Sequence, residues 1–328
     1  MVDSSTISLD YAGAIVHALQ QEMERDPRVF VYGEGINDAG AYLGSTEGIA
    51  RRFGTDRCFD VPNCEDALVG LGVGSALMGY RPLFVSLRID FLMLAMNQIV
   101  NHAARWPAMT GHQTSVPLTI RALIGRGWGQ AAQHSGAFYS MFANVPGLEV
   151  VLPSSPAEGA GLLLTALRSP ATTIVIDDRG VFGAPEEVPV SVEAIPFGKA
   201  RVVRAGDDVT FFALSSMTGF ALEVADRLSE SKMSAQVVDL RTARPLDEET
   251  IRRCAASTGG VAVFDIGWPS FGLAGEVARV LAEDGRLQRP LLSVHRRDEH
   301  TPSSAFLEAS HYPSVDEVTR QVVRQFAG

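Results

Sequence analysis

From residue 28 to residue 177, short unbroken apolar runs alternate with stretches of helical periodicity. RVFVYG, RCFDV, PLFVSL, PLTIRAL, GLEVVLP and TTIVID are separated by segments such as STEGIARRFG, 65–79, 91–105 and SPAEGAGLLLTALRSP, and DYAGAIVHALQQEMERD (10–26) precedes them. A strand that is apolar on both sides must be covered on both faces, and strands separated by helices pair in parallel. The chain is thereby confined to an α/β fold with doubly wound sheets. STEGIARRFG reads as a helix opened by a Ser/Thr cap. SPAEGAGLLL reads as one opened by a serine with Pro156 in the first turn.

The pattern breaks over 177–200, where prolines and glycines are frequent and helical signals few. This stretch reads as an interdomain connection over the surface. Alternation then resumes, with DVTFFAL, AQVVDL, GGVAVFD and the closing PLLSVHR separated by TGFALEVADRLSE, DEETIRRCAAST and FGLAGEVARVLAEDG. The expected organisation is two α/β domains, 1–185 and 200–328, joined by a linker at 186–199. A chain of 328 residues is also longer than one ordinary core requires.

The formal net charge of −10 argues against nucleic-acid binding, which needs a basic face. No apolar run approaches the ~18 residues that span a bilayer, and the N-terminus carries no signal-peptide pattern. Cys58, Cys64 and Cys254 are odd in number and lack CxxC spacing, so they read as free thiols in a reducing cytoplasm. No pair of histidines has metal-ligand spacing. Nor does a GxGxxG open a helix after a strand, so a dinucleotide fingerprint is missing.

The segment DVPNCEDALVGLGVGSALMGYRP (60–82) sets a lone glutamate, Glu65, at the head of an apolar, glycine-dotted helix. As a structural residue it would cap that helix, since acidic side chains are favoured in a first turn. As a functional residue it would share a proton near neutrality, because apolar neighbours partly desolvate it. In open α/β sheets ligands bind beyond the carboxyl ends of strands, and 60–65 is such an end.

These residues resemble a known family. DVPNCEDALVGLGVGSALMGYRP is similar to the D-x-P-x-x-E…G-x-R-P segment of β-subunits of thiamine-diphosphate-dependent 2-oxo acid dehydrogenase first components, of transketolase-like fold. FVYGEGINDAGAYLGSTEGIARRFG and DFLMLAMNQIVNHAAR resemble the flanking segments. AAQHSGAFYSMFANVPGLEVVLPSSPAEGAGLL is the most specific stretch, and DLRTARPLDEETI and GWPSFGLAGEV match the C-terminal domain. The likeness runs in order from residue 10 to the end. It implies a transketolase-like pyrimidine-binding domain followed by a transketolase C-terminal domain.

The resemblance also implies roles. Glu65 would hydrogen-bond the aminopyrimidine of thiamine diphosphate, whose imino tautomer takes the proton from the thiazolium C2 carbon. Phe91 would pack on the pyrimidine ring; its structural alternative is an ordinary core phenylalanine. His134, in AQHS, would handle protons and charge on the substrate or adduct, with Gln133 and Ser135 either supporting it or structural. DEHTPSSAFLE (298–308) resembles the family's D-x-P-x-P-x-x-x-x-L-E, with Asp298, Pro302, Leu307 and Glu308 aligned and His300 in place of the first proline. That stretch is expected to be structural.

The family's diphosphate and Mg²⁺ segment, a GDG followed by an asparagine, is not found here. A separate α-subunit is therefore expected to bring it, in an α2β2 assembly, and the chain alone should be inactive. Departures from the pyruvate enzymes are Arg88 and the loop RALIGRGWGQ (121–130), whose Arg126 and Trp128 add charge and bulk before His134. The expected activity is decarboxylation of a 2-oxo acid and transfer of the acyl unit to a lipoyl group on a partner acyltransferase. The alternative is a non-oxidative, carboligase-like transferase of a specialised pathway. A non-catalytic subunit is disfavoured by the joint presence of Glu65, Phe91 and His134.

Overall fold

The structure, a computed structural model, describes residues 5–37, 40–287 and 289–327. Residues 38 and 39 of the loop quoted above lie outside the described residues. The chain packs as two compact units, residues 1–124 with 141–197, and residues 125–140 with 198–328.

In the first unit, β2 (Val29–Gly33), β3 (Cys58–Asp60), β4 (Arg81–Ser86), β5 (Thr119–Ile124), β6 (Leu148–Val151) and β7 (Thr172–Asp178) pair in parallel in the order β6-β7-β5-β4-β2-β3. Every residue of β5 and β7 is buried, as unbroken apolar runs require. Helix α1 (Tyr11–Arg25) begins at Asp10, whose carboxylate accepts from the Gly13 N–H. It lies against α4 (Pro156–Arg168). Gly159 allows that approach, since a Cβ there would sit 2.7 Å from the Tyr11 ring. Helix α3 (Glu65–Leu77) is apolar around much of its circumference, with Leu71 and Gly74 facing outward.

Three local differences from the sequence reading have physical causes. The expected helix at 91–105 is a 3₁₀ turn, Ile89–Ala95, running into a π-helix, Asn97–Ala103. Buried residues come every third position at Ile89, Leu92 and Ala95, then every fourth at Ala95, Ile99 and Ala103. The first spacing suits a tight turn and the second a wide one; the Ala104 N–H accordingly reaches back five residues to the Ile99 carbonyl. Helix α2 spans only Ile49–Phe53 and starts at a left-handed Gly48, because the Ser45 and Thr46 hydroxyls are engaged elsewhere. The stretch 186–197 packs as part of the first unit. Its β8 (Glu186–Pro189) pairs antiparallel with β1 (Thr6–Leu9), and Val188 and Val192 are buried.

In the second unit, β9 (Arg201–Arg204), β10 (Val209–Ala213), β11 (Ala235–Asp239), β12 (Val261–Phe264) and β13 (Leu292–Val294) form a sheet in the order β13-β12-β10-β11-β9. Only β9 runs antiparallel. Helices α5 (Ser216–Ser229), α6 (Glu248–Ala255) and α7 (Leu273–Glu283) connect its strands. PLLSVHR supplies the last strand, as expected. Two further helices follow, α8 (Ala305–Ala309) and α9 (Val315–Phe326), the latter capped by Ser314.

A buried polar knot sits at the centre of the first unit. The Arg121 guanidinium and the Asp177 carboxylate, both fully buried, meet at 2.6 Å. The Tyr11 hydroxyl donates to Asp177 at 2.5 Å and the Tyr42 hydroxyl at 3.2 Å. Arg121 also donates to Ser45 Oγ at 2.9 Å and lies over the Tyr42 ring. Leaving one member of such a pair alone in the core costs about 3–5 kcal/mol. Asp177→Asn should therefore lower the unfolding free energy in urea by that order. Asp226→Asn, at the solvent-exposed pair with Arg204, should cost under about 1 kcal/mol. Equal losses would show that the buried knot has no special part in stability.

Candidate functional site

The carboxyl ends of β2, β3 and β4 converge on one edge of the first sheet. Gly33, the last residue of β2, is in register with Asp60 of β3 and with Val85 of β4. Only glycine fits there, because a Cβ would lie 2.3 Å from the Val85 carbonyl oxygen. The next residue, Glu34, is thereby pinned at the strand ends, and its N–H points to that same carbonyl. Two residues on, the Ile36 N–H donates to the Asp60 carboxylate at 3.2 Å, while the Ile36 carbonyl accepts from the Thr46 hydroxyl at 2.8 Å.

Glu65 is the first residue of α3, five positions beyond the end of β3, and is 7% exposed. Glu34 is 2% exposed, and its Oε1 has no hydrogen-bond partner among the described residues. Burial, with the Glu65 and Asp60 carboxylates nearby, pushes the Glu34 carboxyl up to about 7. Loss of hydration disfavours the charged form, and like charges add to it. The sequence reading singled out Glu65 and passed over Glu34. The available signal was a charged residue directly after an apolar strand, a strand end being where ligands bind.

Phe91 lies in the 3₁₀ turn after β4 and is half-buried. Arg88, at the cap of that turn, donates to the Leu87 carbonyl at 2.6 Å, and burial lowers its pKa. Cys64, beside Glu65, is exposed, whereas Cys58 is buried and its thiol is pushed up to about 11.

His134 belongs to the second unit. It ends a single 3₁₀ turn, Ala132–His134, and is half-buried. The loop before it is unusual. Gly127, Trp128 and Gly129 have consecutive φ values of 74°, 72° and 68°, and Ala131 has φ 63°. Side-chain-bearing residues avoid this region, so Trp128 and Ala131 are strained. The buried Glu308 carboxylate accepts from the N–H groups of Gly127 (2.7 Å) and Gly129 (2.8 Å). Arg126 lies 4.3 Å over the Tyr312 ring and donates to the Ser216 hydroxyl. It is thus held by the second unit rather than projecting as a surface charge. Trp128 is 57% exposed, and His300 is exposed. Beyond His134, the buried Arg296 donates to the Ser135 carbonyl at 2.5 Å and to that of Ile266. The Tyr139 hydroxyl bonds the buried Asp265 carboxylate at 2.8 Å.

Among the described residues, no group of three or more His, Cys, Asp or Glu side chains could hold a metal ion. None of their helices is long and apolar enough to cross a membrane.

The class of protein follows from domain models. Residues 8–183 match the transketolase pyrimidine-binding domain and residues 198–318 the transketolase C-terminal domain. A solved structure described as a split-gene transketolase, an inactive β4 tetramer, shares the fold at TM-score 0.80 and 22% identity, covering 98% of this chain and 99% of that one.

Curated relatives narrow the class. The chain is 35% identical to a mitochondrial pyruvate dehydrogenase E1 component subunit beta-1 of Arabidopsis thaliana, over 94% of this chain and 86% of the relative. It is 36% identical to the beta subunit of an acetoin:2,6-dichlorophenolindophenol oxidoreductase of Cupriavidus necator, over 96% of each. With a 2-oxoisovalerate dehydrogenase subunit beta of Bacillus subtilis it shares 38% identity over 84% of each. The chain belongs to the family of β-subunits of 2-oxo acid dehydrogenase E1 components. The non-oxidative alternative is not favoured by these relatives.

The buried carboxyl of Glu34 makes stability pH-dependent. Its folded pKa, about 7, lies above the ordinary 4.5. The folded state therefore holds the proton longer than the unfolded one, and this contribution to stability falls as pH rises from about 4.5 to about 7. Glu34→Gln should raise the thermal midpoint at about pH 8 and change it much less at about pH 5. Parallel midpoint-versus-pH curves for the two proteins would contradict the assignment.

Proposed function

We propose that this chain forms the pyrimidine half of a thiamine-diphosphate site in a two-subunit enzyme that decarboxylates a 2-oxo acid and passes on the acyl unit. The observation that carries this reading is the pair of buried carboxyls, Glu34 and Glu65, at the carboxyl ends of parallel strands. The residues fit an aminopyrimidine. Such a ring offers donor and acceptor nitrogens on a flat apolar body, and Glu34 Oε1 is a buried oxygen without a partner among the described residues.

Thiamine diphosphate, when bound, supplies a carbon nucleophile for the 2-oxo acid and takes up the electrons released with CO2. Glu65 would hold a proton between its carboxylate and a ring nitrogen of the pyrimidine. Glu34, pushed up to about 7, keeps a second proton close at working pH. Phe91 would pack on the pyrimidine face. His134 would donate or accept protons on the substrate side.

The relatives are named as beta subunits, one of a pyruvate dehydrogenase E1 component and one of a 2-oxoisovalerate dehydrogenase, which supports an α-subunit as partner. That subunit would bring the diphosphate ligands and Mg²⁺, in an α2β2 assembly, and a lipoyl group on an acyltransferase would be the acceptor. The absence of a GDG segment from this sequence is what such a division of labour requires.

Co-expression with a candidate α-subunit, followed by assay with thiamine diphosphate, Mg²⁺ and a panel of 2-oxo acids including pyruvate and 2-oxoisovalerate, tests this. The assembled protein should release CO2 and reduce an artificial acceptor, while the chain alone should do neither. His134→Ala should lower turnover by roughly 100-fold and leave cofactor binding intact. CO2 release by the isolated chain, or none from an assembly with any 2-oxo acid, would contradict the proposal.

A further inference from the structure

The loop ahead of His134 is held in a conformation that its sequence does not favour. Three successive residues, Gly127 to Gly129, are left-handed, and one of them is a tryptophan. Successive N–H groups in such a turn make a concavity that attracts an anion. Here the anion is the chain's own Glu308, which lies 181 residues from Gly127 in sequence and is 2% exposed. Each carboxylate oxygen takes one N–H, Oε1 that of Gly127 and Oε2 that of Gly129. The fit leaves no slack. A Cβ on Gly129 would lie 2.2 Å from the Ser303 carbonyl oxygen and 3.1 Å from the Ala305 nitrogen, in the segment that leads into Glu308.

His134 lies five residues after this clasp and one residue before a second tie, from Arg296 to the Ser135 carbonyl. We infer that Glu308 is a positioning residue for His134: its carboxylate sets the strained turn that leads into the short 3₁₀ turn carrying the imidazole, and Arg296 fixes the other side. The inference rests on the proposed role of His134. A carboxylate is needed because an amide in its place would turn an N–H₂ group against a backbone N–H, so that one of the two bonds is lost. Reactive groups tolerate little displacement, and about 1 Å can cost on the order of 100-fold in rate.

The test is a double-mutant cycle in the assembled enzyme with its α-subunit. Glu308→Gln should lower kcat roughly 10- to 100-fold with little change in the Kd for thiamine diphosphate. In a His134→Ala background the same change should have almost no further effect, because its target is already gone. Multiplying losses in the double variant, or unchanged kcat in Glu308→Gln, would overturn the inference. If His134→Ala itself left kcat unchanged while Glu308→Gln lowered it, the role of His134 would fail and the inference with it; normal His134 dependence with multiplying losses would sink only the inference. Should Glu308→Gln not assemble, Gly129→Ala disturbs the turn from the other side. It must then show the same dependence on His134, and losses that multiply with those of His134→Ala would again overturn the inference.

Discussion

The first unit is organised around one buried ion pair. Arg121 comes from β5 and Asp177 from β7, adjacent strands of the sheet, and neither side chain touches solvent. An uncompensated charge there would be costly, so everything packed around the pair must supply hydrogen bonds. Tyr11 brings the start of α1, and Tyr42 and Ser45 bring the loop before α2. Through Ser45 the effect reaches the candidate site. The adjoining Thr46 holds the Ile36 carbonyl, and Ile36 lies two residues from Glu34. The close-packed geometry at the strand ends thus leans on a polar knot in the core.

The second unit uses the same device on a loop. Charged side chains at or beyond the ends of its elements, Asp265 after β12, Arg296 after β13 and Glu308 in α8, reach the segment 125–140 and bind its backbone or its tyrosine. This explains how a run rich in glycine, with two side-chain-bearing residues at positive φ, can present a histidine in one place. A loop that is flexible by composition is made rigid by distant carboxylates and a guanidinium.

Much of this could be read in the sequence. Unbroken apolar runs such as TTIVID and PLTIRAL announce strands buried on both faces, because a solvent-facing strand would alternate. Glu65 stands out as a charge among apolar residues at a strand end, and AQHS draws notice to His134. Other features were beyond local pattern. Glu34 matters because three strand ends bring it near Glu65 and Asp60, and Glu308 because it meets residues 181 and 179 positions away. The 3₁₀ and π turns at 89–103 follow the spacing of buried residues rather than any propensity. The last helix was legible but easily missed: Ser314 and Glu317 carry the spacing of a capping box.

The central claim is that Glu65, beside Glu34, moves a proton on the pyrimidine of bound thiamine diphosphate. The most direct measurement is the rate of hydrogen–deuterium exchange at the cofactor's C2 carbon, read by NMR after acid quench of the assembled enzyme. Glu65→Gln should slow that exchange by about 10²- to 10⁴-fold while the assembly still forms and binds the cofactor. Exchange at the wild-type rate in an intact, cofactor-loaded Glu65→Gln enzyme would contradict the account.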